Sequence, residues 1–331
     1  MDNHLQVAYA TDNGYIKYTG ISMYSLFDNN KNFDDITVHI LDNGISDEGK
    51  KQLKDIADLF SRTIIFYDCS KIGEWLGNEV LEMFERGNTN ISISSYARLF
   101  LPQLVSKDVD KILYLDADSI VIGSFRELWK IDNGNFSIMG VIDNVSAEAK
   151  ERIGLSDKSR YINAGVVLMN IEMLRNMNFT ELVKAFIAKY HGCVYHHDQG
   201  VINGVLHSTI GYLMPQYNMM SYMFETKTIV DTANRYMIEN YYSDEEMRYA
   251  ENHPVFIHFT EGNLQRPWVQ NCKHPLRDKW IYYKNKTIWQ NDKLMKDNRS
   301  NKLKLLAWLY RHIPAYIISQ IIGLIRKEKI Q

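Results

Sequence analysis

The chain has 331 residues, 45% of them hydrophobic and 24% charged, with a formal net charge of −2. Those values describe a soluble globular protein with enough residues for a sizeable core, arranged as one large α/β domain or one domain with an appendage. They exclude a membrane-spanning chain, because no apolar run reaches the roughly 18 to 20 residues that cross a bilayer.

Strand and helix signals alternate along the first hundred residues, which predicts a parallel sheet. Leu5 to Ala10 reads as a strand that enters the turn TDNGY directly, so no signal peptide is expected. A helix carrying Ile21, Tyr24, Ser25 and Leu26 leads out of that turn. Ile36 to Leu41 is a second strand, and residues 46–60 form a helix capped by Ser46 with acids in its first turn. TIIFYD is a third strand. Residues 69–90 are irregular and polar, long enough for a flap over a site. SSYARLFLPQLV predicts a short helix and KILYLDAD the next strand. Further strands are expected in SIMGVID, NAGVVLMN and VFIHFT, and helices in FTELVKAFIAKY and HHDQGVINGVL.

Charge is unevenly distributed. Residues 271–331 hold ten Lys and four Arg against three Asp and one Glu, a surplus of +10, which leaves −12 on the first 270. A basic tail on an acidic body predicts an anionic partner for the tail, and the acidic body argues against nucleic acid. Within 301–327, Leu303, Leu305, Leu306, Trp308, Leu309 and Tyr310 stand among Lys302, Lys304 and Arg311. An apolar, aromatic helix flanked by bases suits a membrane–water interface; packing on the body or in a dimer is the alternative. Cys69, Cys193 and Cys272 are too sparse for a disulfide framework and fit reduced thiols in a cytosolic protein.

The most informative stretch is KILYLDADSIV, where a continuous apolar run ends in Asp116 and Asp118. Unpaired carboxylates are costly in a core, so this strand must deliver them to an edge. Positions i and i+2 of an extended segment point the same way, so both can meet one hard cation. A divalent metal held there would sit on a pyrophosphate at the carboxyl edge of an α/β sheet. Read without further context, the pair is also compatible with an acidic surface turn.

Further segments accompany the D-x-D in order: ATDNGY (10–15), HILDNGIS (39–46), SYARL (95–99), YINAGVVLMN (161–170), HHDQGVINGVL (196–206) and IHFTEGNLQRPW (257–268). Together they closely resemble the retaining glycosyltransferases of family eight, over about the first 270 residues. That family includes bacterial lipopolysaccharide galactosyl- and glucosyltransferases and, more distantly, glycogenin. The resemblance implies a GT-A fold, Rossmann-like with a mixed and mostly parallel central sheet, on residues 1–270. Residues 271–331 would then form a helical, basic and aromatic region suited to membrane attachment. It also implies a UDP-glucose or UDP-galactose donor, with Mn²⁺ as the metal and Mg²⁺ as the alternative.

The same resemblance assigns roles. Asp116 and Asp118 would ligate the metal, with Asp118 also reaching the ribose, Ala117 between them, and His258 completing the set. Asp12 would accept an imide N–H of uracil, with Ala10 and Thr11 leaving room for the ring and Tyr15 stacking on it. Arg98 would lie near the nucleotide and donor sugar. Asn163, Ala164 and Gly165 would wall the hexose, and Asp198 and Gln199 would grip it beneath the anomeric carbon. Asp143 would face the acceptor. Taken singly, Asp12 is also a turn former, Tyr15 a strand-edge aromatic, Arg98 a solvated helix residue and His258 a structural histidine.

Two departures from the family pattern stand out. The usual H-x-x-G-x-x-K-P-W reads H-x-x-x-G-x-x-x-R-P-W here, so the loop carrying Gly262 and Arg266 is two residues longer and Arg replaces Lys. Arg266 would hold the pyrophosphate as a planar fork. Some members have an acid after the glutamine, where this chain has Gly200. Gln199 has no ionisable form, so double displacement lacks its carboxylate, and front-face attack by the acceptor hydroxyl is favoured. The implied function is metal-dependent hexosyl transfer from a UDP-sugar to a glycan or lipid-linked acceptor on the inner membrane face. The alternatives are a sugar-1-phosphate nucleotidyltransferase, which would want a Gly-rich basic loop after the first strand, and a non-catalytic nucleotide-sugar-binding or membrane scaffold.

Overall fold

The computed structural model describes residues 3–77, 93–236 and 240–312. Ten strands are named here in chain order: β1 (His4–Thr11), β2 (Asp35–Asp42), β3 (Thr63–Asp68), β4 (Lys111–Leu115), β5 (Ser119–Val121), β6 (Ile138–Ile142), β7 (Ile162–Asn170), β8 (Ile210–Tyr212), β9 (Met219–Met220) and β10 (Phe256–His258). Seven build one sheet in the order β3-β2-β1-β4-β7-β6-β8. Its β1–β2, β2–β3, β1–β4 and β6–β8 pairs are parallel, while β7 runs antiparallel to both β4 and β6. The expected mixed, mostly parallel sheet is therefore present.

Burial on both faces explains why the strands read as near-continuous apolar runs. Side chains alternate between two cores with period two. Leu113 and Leu115 of β4 join Leu5, Val7 and Tyr9 of β1 on one face, while Ile112 and Tyr114 join Val167 and Met169 of β7 on the other. The first face is covered by α1 (Ile16–Asn29) and α2 (Asp47–Leu59). Helices Phe179–Lys189 and His197–Leu206 pack on the second. The Ser46 cap is formed as expected, its Oγ accepting from Gly49 N at 3.1 Å.

Three strands leave the main sheet, and they matter most for the site. β10 pairs antiparallel with β5, setting His258 opposite Ser119, and parallel with β9, setting His258 beside Met220. That small sheet carries His258 to the residue that follows the D-x-D.

Three expectations shift in detail. SSYARLFLPQLV is a 3₁₀ segment (Ile93–Phe100) followed by a single turn of α-helix (Leu101–Leu104) rather than one helix. Ile72–Leu76 is a short helix inside the stretch expected to be irregular, and the flap expected over 78–90 lies outside the described residues. Residues 271–295 are woven into the larger core. Trp280, Tyr283 and Trp289 belong to it, Tyr283 Oη accepts from Asn29 Nδ2 at 2.7 Å, and Met295 bridges Val269. A helix then runs Asn301–His312 with Leu303, Leu305 and Trp308 about half exposed, and the rest of the tail lies outside the described residues.

Candidate active site

Register brings the D-x-D to a crowded edge. β4 ends at Leu115, opposite Val166 of β7, so the next amide, Asp116 N, donates to Gly165 O at 2.8 Å. The small sheet continues past His258, where Phe259 N donates to Asp118 O at 2.8 Å. Asp116, Asp118 and His258 thereby offer ligand atoms that all lie within 4.8 Å of one another. His258 Nε2 is 3.1 Å from Asp118 Oδ1 and 3.7 Å from Asp116 Oδ2.

Two arginines flank these acids. Arg98, buried, sits 2.8 Å from Asp116 Oδ1 and 2.9 Å from Asp198 Oδ2, donates to Ala164 O at 2.6 Å, and lies 4.1 Å over the Tyr114 ring. Arg266 reaches Asp118 Oδ2 at 3.0 Å and Tyr15 Oη at 3.2 Å. The lengthened loop still returns its basic residue to the D-x-D. Gly262 is exposed, and the side chain nearest to it belongs to Glu225, outside the cleft lining.

Electrostatics follow from this crowding. Burial opposes charge on His258, but Asp118 and Asp116 outweigh it and raise its pKa above the ordinary imidazole value. Burial alone would raise Asp118, yet His258 and Arg266 overcome that and lower it. Asp198 is pushed up by burial, with Arg98 pulling the other way.

Beside the acids opens a cleft of about 320 Å³, lined by Ala10, Thr11, Asp12, Tyr15, Arg98 and the 116–118 segment, with Asn43, Ser95 and Tyr114. Asp12 turns the chain into α1, its Oδ1 accepting from Tyr15 N at 3.0 Å. Both readings of Asp12 meet here: it forms the turn and it lines the cleft.

Through Arg98 the cleft is joined to a second group, built from β7 and the helix at 197–206. Left-handed His196 and His197, with φ of 59° and 54°, swing the chain so that Asp198 and Gln199 open that helix. Gln199 Oε1 accepts from Ala164 N at 3.1 Å and its Nε2 donates to Asp143 Oδ2 at 3.1 Å. Asn163 Nδ2 donates to the same Asp143 oxygen at 3.0 Å. Asp143, Asn163 and Gln199 are thus one hydrogen-bonded group. A Cβ at Gly200 would collide with the Tyr195 carbonyl, so this backbone leaves no space for an acid after the glutamine.

Sequence reading passed over Asn218, whose carboxamide contacts His258 and Asn163. Nothing in LMPQYNMMSY marks it. Tyr114, inside the apolar run of KILYL, also reaches Asp116, with its Oη donating to Asp116 Oδ1 at 3.2 Å.

A two-sided sheet that gathers two carboxylates and a histidine at the carboxyl end of a central strand is the architecture of a GT-A glycosyltransferase. Solved structures agree: the galactosyltransferase LgtC, in complex with donor and acceptor sugar analogues, superposes with a TM-score of 0.68 at 25% identity, covering 86% of this chain and 96% of that one. The sequence profile described as "Glycosyl transferase family 8" matches residues 6–272. The chain belongs to that family. Relatives include general stress protein A of Bacillus subtilis, 25% identical over 87% of this chain and 96% of its own length. A lipopolysaccharide 1,2-glucosyltransferase of Escherichia coli is 25% identical over 86% of this chain and 79% of its own.

Proposed function

We propose that the protein is a metal-dependent, retaining hexosyltransferase that moves glucose or galactose from a UDP-sugar to a glycan or lipid-linked acceptor. The observation that carries this reading is the convergence of Asp116, Asp118 and His258 beside a cleft, with Arg98 of the cleft lining joined to Asp198 and Ala164, next to the hydrogen-bonded Asp143–Asn163–Gln199 group.

The donor set fits a hard or borderline divalent cation such as Mn²⁺ or Mg²⁺: two carboxylates and one imidazole nitrogen, held close by two different sheets. When bound, such an ion supplies Lewis-acid neutralisation of the departing diphosphate. The chain's own residues do the rest. Asp12 and Tyr15, in the turn at the cleft's end, would receive the uracil ring. Arg266 would turn its guanidinium fork from Asp118 toward the diphosphate. Arg98 braces Asp116 and Asp198 together and would keep both oriented toward the sugar. Asp198 would accept from the hexose hydroxyls, and Asn163, Ala164 and Gly165 would wall the sugar.

Retention is taken from the family resemblance, and the residues expected beneath the sugar bear on its route. Gln199 cannot ionise, and Asp198 is engaged by Arg98 at 2.9 Å. Neither of these two side chains therefore offers a free carboxylate for a covalent intermediate, which favours front-face attack. The bond from the anomeric carbon to the β-phosphate oxygen breaks, the acceptor oxygen bonds to that carbon on the same face, and the acceptor proton passes to the departing phosphate. Asp143, fixed by Asn163 and Gln199, would position the acceptor hydroxyl.

The half-exposed Leu303, Leu305 and Trp308 beside Lys302 and Lys304, within the +10 segment, support peripheral attachment to an anionic membrane face. No described helix is long and apolar enough to cross a membrane.

UDP release across a panel of UDP-sugars, with Mn²⁺ or EDTA, tests the chemistry, with Asp118→Asn as control. Metal-dependent release from one donor, lost in the variant, is the expected result; no release and no metal-linked UDP binding would refute the reading and leave a membrane scaffold. A chain ending at residue 300 should keep turnover and lose binding to anionic vesicles.

A further inference from the structure

Asn218, one residue before β9, is fully buried and stands between His258 and the Asp143–Asn163–Gln199 group. Its Oδ1 is 3.1 Å from His258 Nδ1, and its Nδ2 is 2.9 Å from Asn163 Oδ1.

Two backbone amides fix the direction of every bond in this chain of contacts. Gly165 N–H can only donate, so the Asn163 atom it meets at 2.8 Å is the carbonyl oxygen. Asn218 meets that same oxygen and must present its NH₂ group there. Its own oxygen is left for His258, and because an amide oxygen only accepts, Nδ1 of His258 carries a proton. Ala164 N–H fixes Gln199 Oε1 in the same way, at 3.1 Å. The NH₂ groups of Gln199 and Asn163 are then left for Asp143 Oδ2, at 3.1 and 3.0 Å.

The consequence falls on the other ring nitrogen. In the neutral imidazole, Nε2 is an unprotonated lone pair that faces Asp118 Oδ1 at 3.1 Å and Asp116 Oδ2 at 3.7 Å. Three acceptors turned toward one another repel unless a proton or a metal cation lies among them, and with Nδ1–H held by Asn218 a metal has only the Nε2 proton to displace. The ring has little freedom to escape, since a Cβ on Gly165 would already collide with its Cε1 and Nδ1.

We propose that Asn218 is a positioning residue that locks His258 in the tautomer offering Nε2 to a divalent cation and ties that ring, through Asn163, to Asp143 and Gln199. The inference rests on the reading of Asp116, Asp118 and His258 as a metal site. Partners of this kind alter metal affinity by about 10- to 100-fold when removed. Asn218 differs from a simple orienting group in having two faces, one toward the metal histidine and one toward the sugar wall.

The two faces can be separated. Asn218→Ala removes both. Asn218→Asp keeps an acceptor for His258 Nδ1–H but sets a carboxylate against the Asn163 oxygen, where a donor stood. Mn²⁺ binding is measured by titration of the purified protein without donor, followed by electron paramagnetic resonance. The alanine variant should bind Mn²⁺ about 10- to 100-fold more weakly. The aspartate variant should bind within the wild-type range yet lose kcat with little change in KM for the donor. ¹⁵N shifts of labelled histidine should report Nδ1–H at His258 in the wild type and a tautomer mixture in the alanine variant.

Wild-type Mn²⁺ affinity and an unchanged His258 tautomer in the alanine variant would overturn the role of Asn218 alone. Equal losses in both variants, with matching drops in thermal midpoint, would reduce it to a packing residue. A wild type that binds no Mn²⁺, while Asp118→Asn behaves identically, would instead remove the metal site and the reading built on it.

Discussion

Arg98 is the most heavily used cation in the cleft, and its removal has a calculable cost. Arg98→Met keeps length and apolar volume while deleting the charge. Asp198, whose side chain is 13% exposed, loses its partner at 2.9 Å with almost no water to replace it. Breaking a buried pair of this kind costs about 3–5 kcal/mol. Asp116, at 25% side-chain exposure, is partly rescued by solvent and adds less. The Ala164 carbonyl loses its 2.6 Å donor, a further ~1 kcal/mol at the low end for a buried acceptor. The total is about 5 kcal/mol, a large share of the ~5–15 kcal/mol typical of folded domains. At roughly 2 °C per kcal/mol for a chain of this size, the thermal midpoint should fall by about 10 °C.

The pH dependence of that loss identifies its cause. Burial already raises Asp198 against the pull of Arg98, so removing the arginine raises it further. A carboxyl with a raised folded-state pKa retains a proton that the unfolded chain releases, so its stability contribution declines as pH rises. The gap between variant and wild type should therefore widen as pH rises above the ordinary carboxylate range in denaturant titrations in the presence of EDTA. A variant within about 1 kcal/mol of wild type, or a gap that stays constant with pH, would refute the idea that Arg98 neutralises a buried acid.

Other consequences are more local. Gly20→Ala places a Cβ into the Trp289 ring, and overpacking of this kind costs about 1–3 kcal/mol; an unchanged denaturation midpoint would mean that the 271–295 segment does not pack firmly on α1. His39 and His274 are held neutral by burial, with pKa values lowered to about 4 and about 3. The unfolded chain binds protons at both near pH 6.5, the folded one does not, so stability is full above that pH and falls as acid is added, ending near pH 4 for His39 and pH 3 for His274. His39 accounts for about 3 kcal/mol of that loss, so His39→Gln should flatten the decline between pH 6.5 and pH 4, and an unaltered slope would count against a neutral His39.

Much of this protein is written locally. Strand β3 is legible because TIIFYD is a β-branched and aromatic run, and the Ser46 cap because its oxygen needs an amide only three residues away. Asp116 and Asp118 stand out because two charges at the end of an apolar strand have few affordable environments. The ordered motifs also include Ala10, Thr11, Asp12, Tyr15, Arg98 and the 116–118 segment, which the fold gathers around one cleft, while Asp198 is joined to it through Arg98. Gly262 and Gly200 were less legible: one stands outside the cleft lining, and the other answers to the Tyr195 carbonyl rather than to chemistry.

What the sequence determined by itself was the periodicity of burial and the places where charge had to surface, because both depend on neighbours along the chain. What only the tertiary structure decided was pairing through space. The antiparallel course of β7 sets Gly165 against Asp116, and the β5–β10–β9 sheet carries His258 to Asp118 across 140 residues of chain. The same pairing places Asn218, unmarked in its own segment, against His258. Hydrogen-bond direction, burial of ion pairs and the closeness of like charges arise only once distant segments are brought together, so no local pattern encodes them.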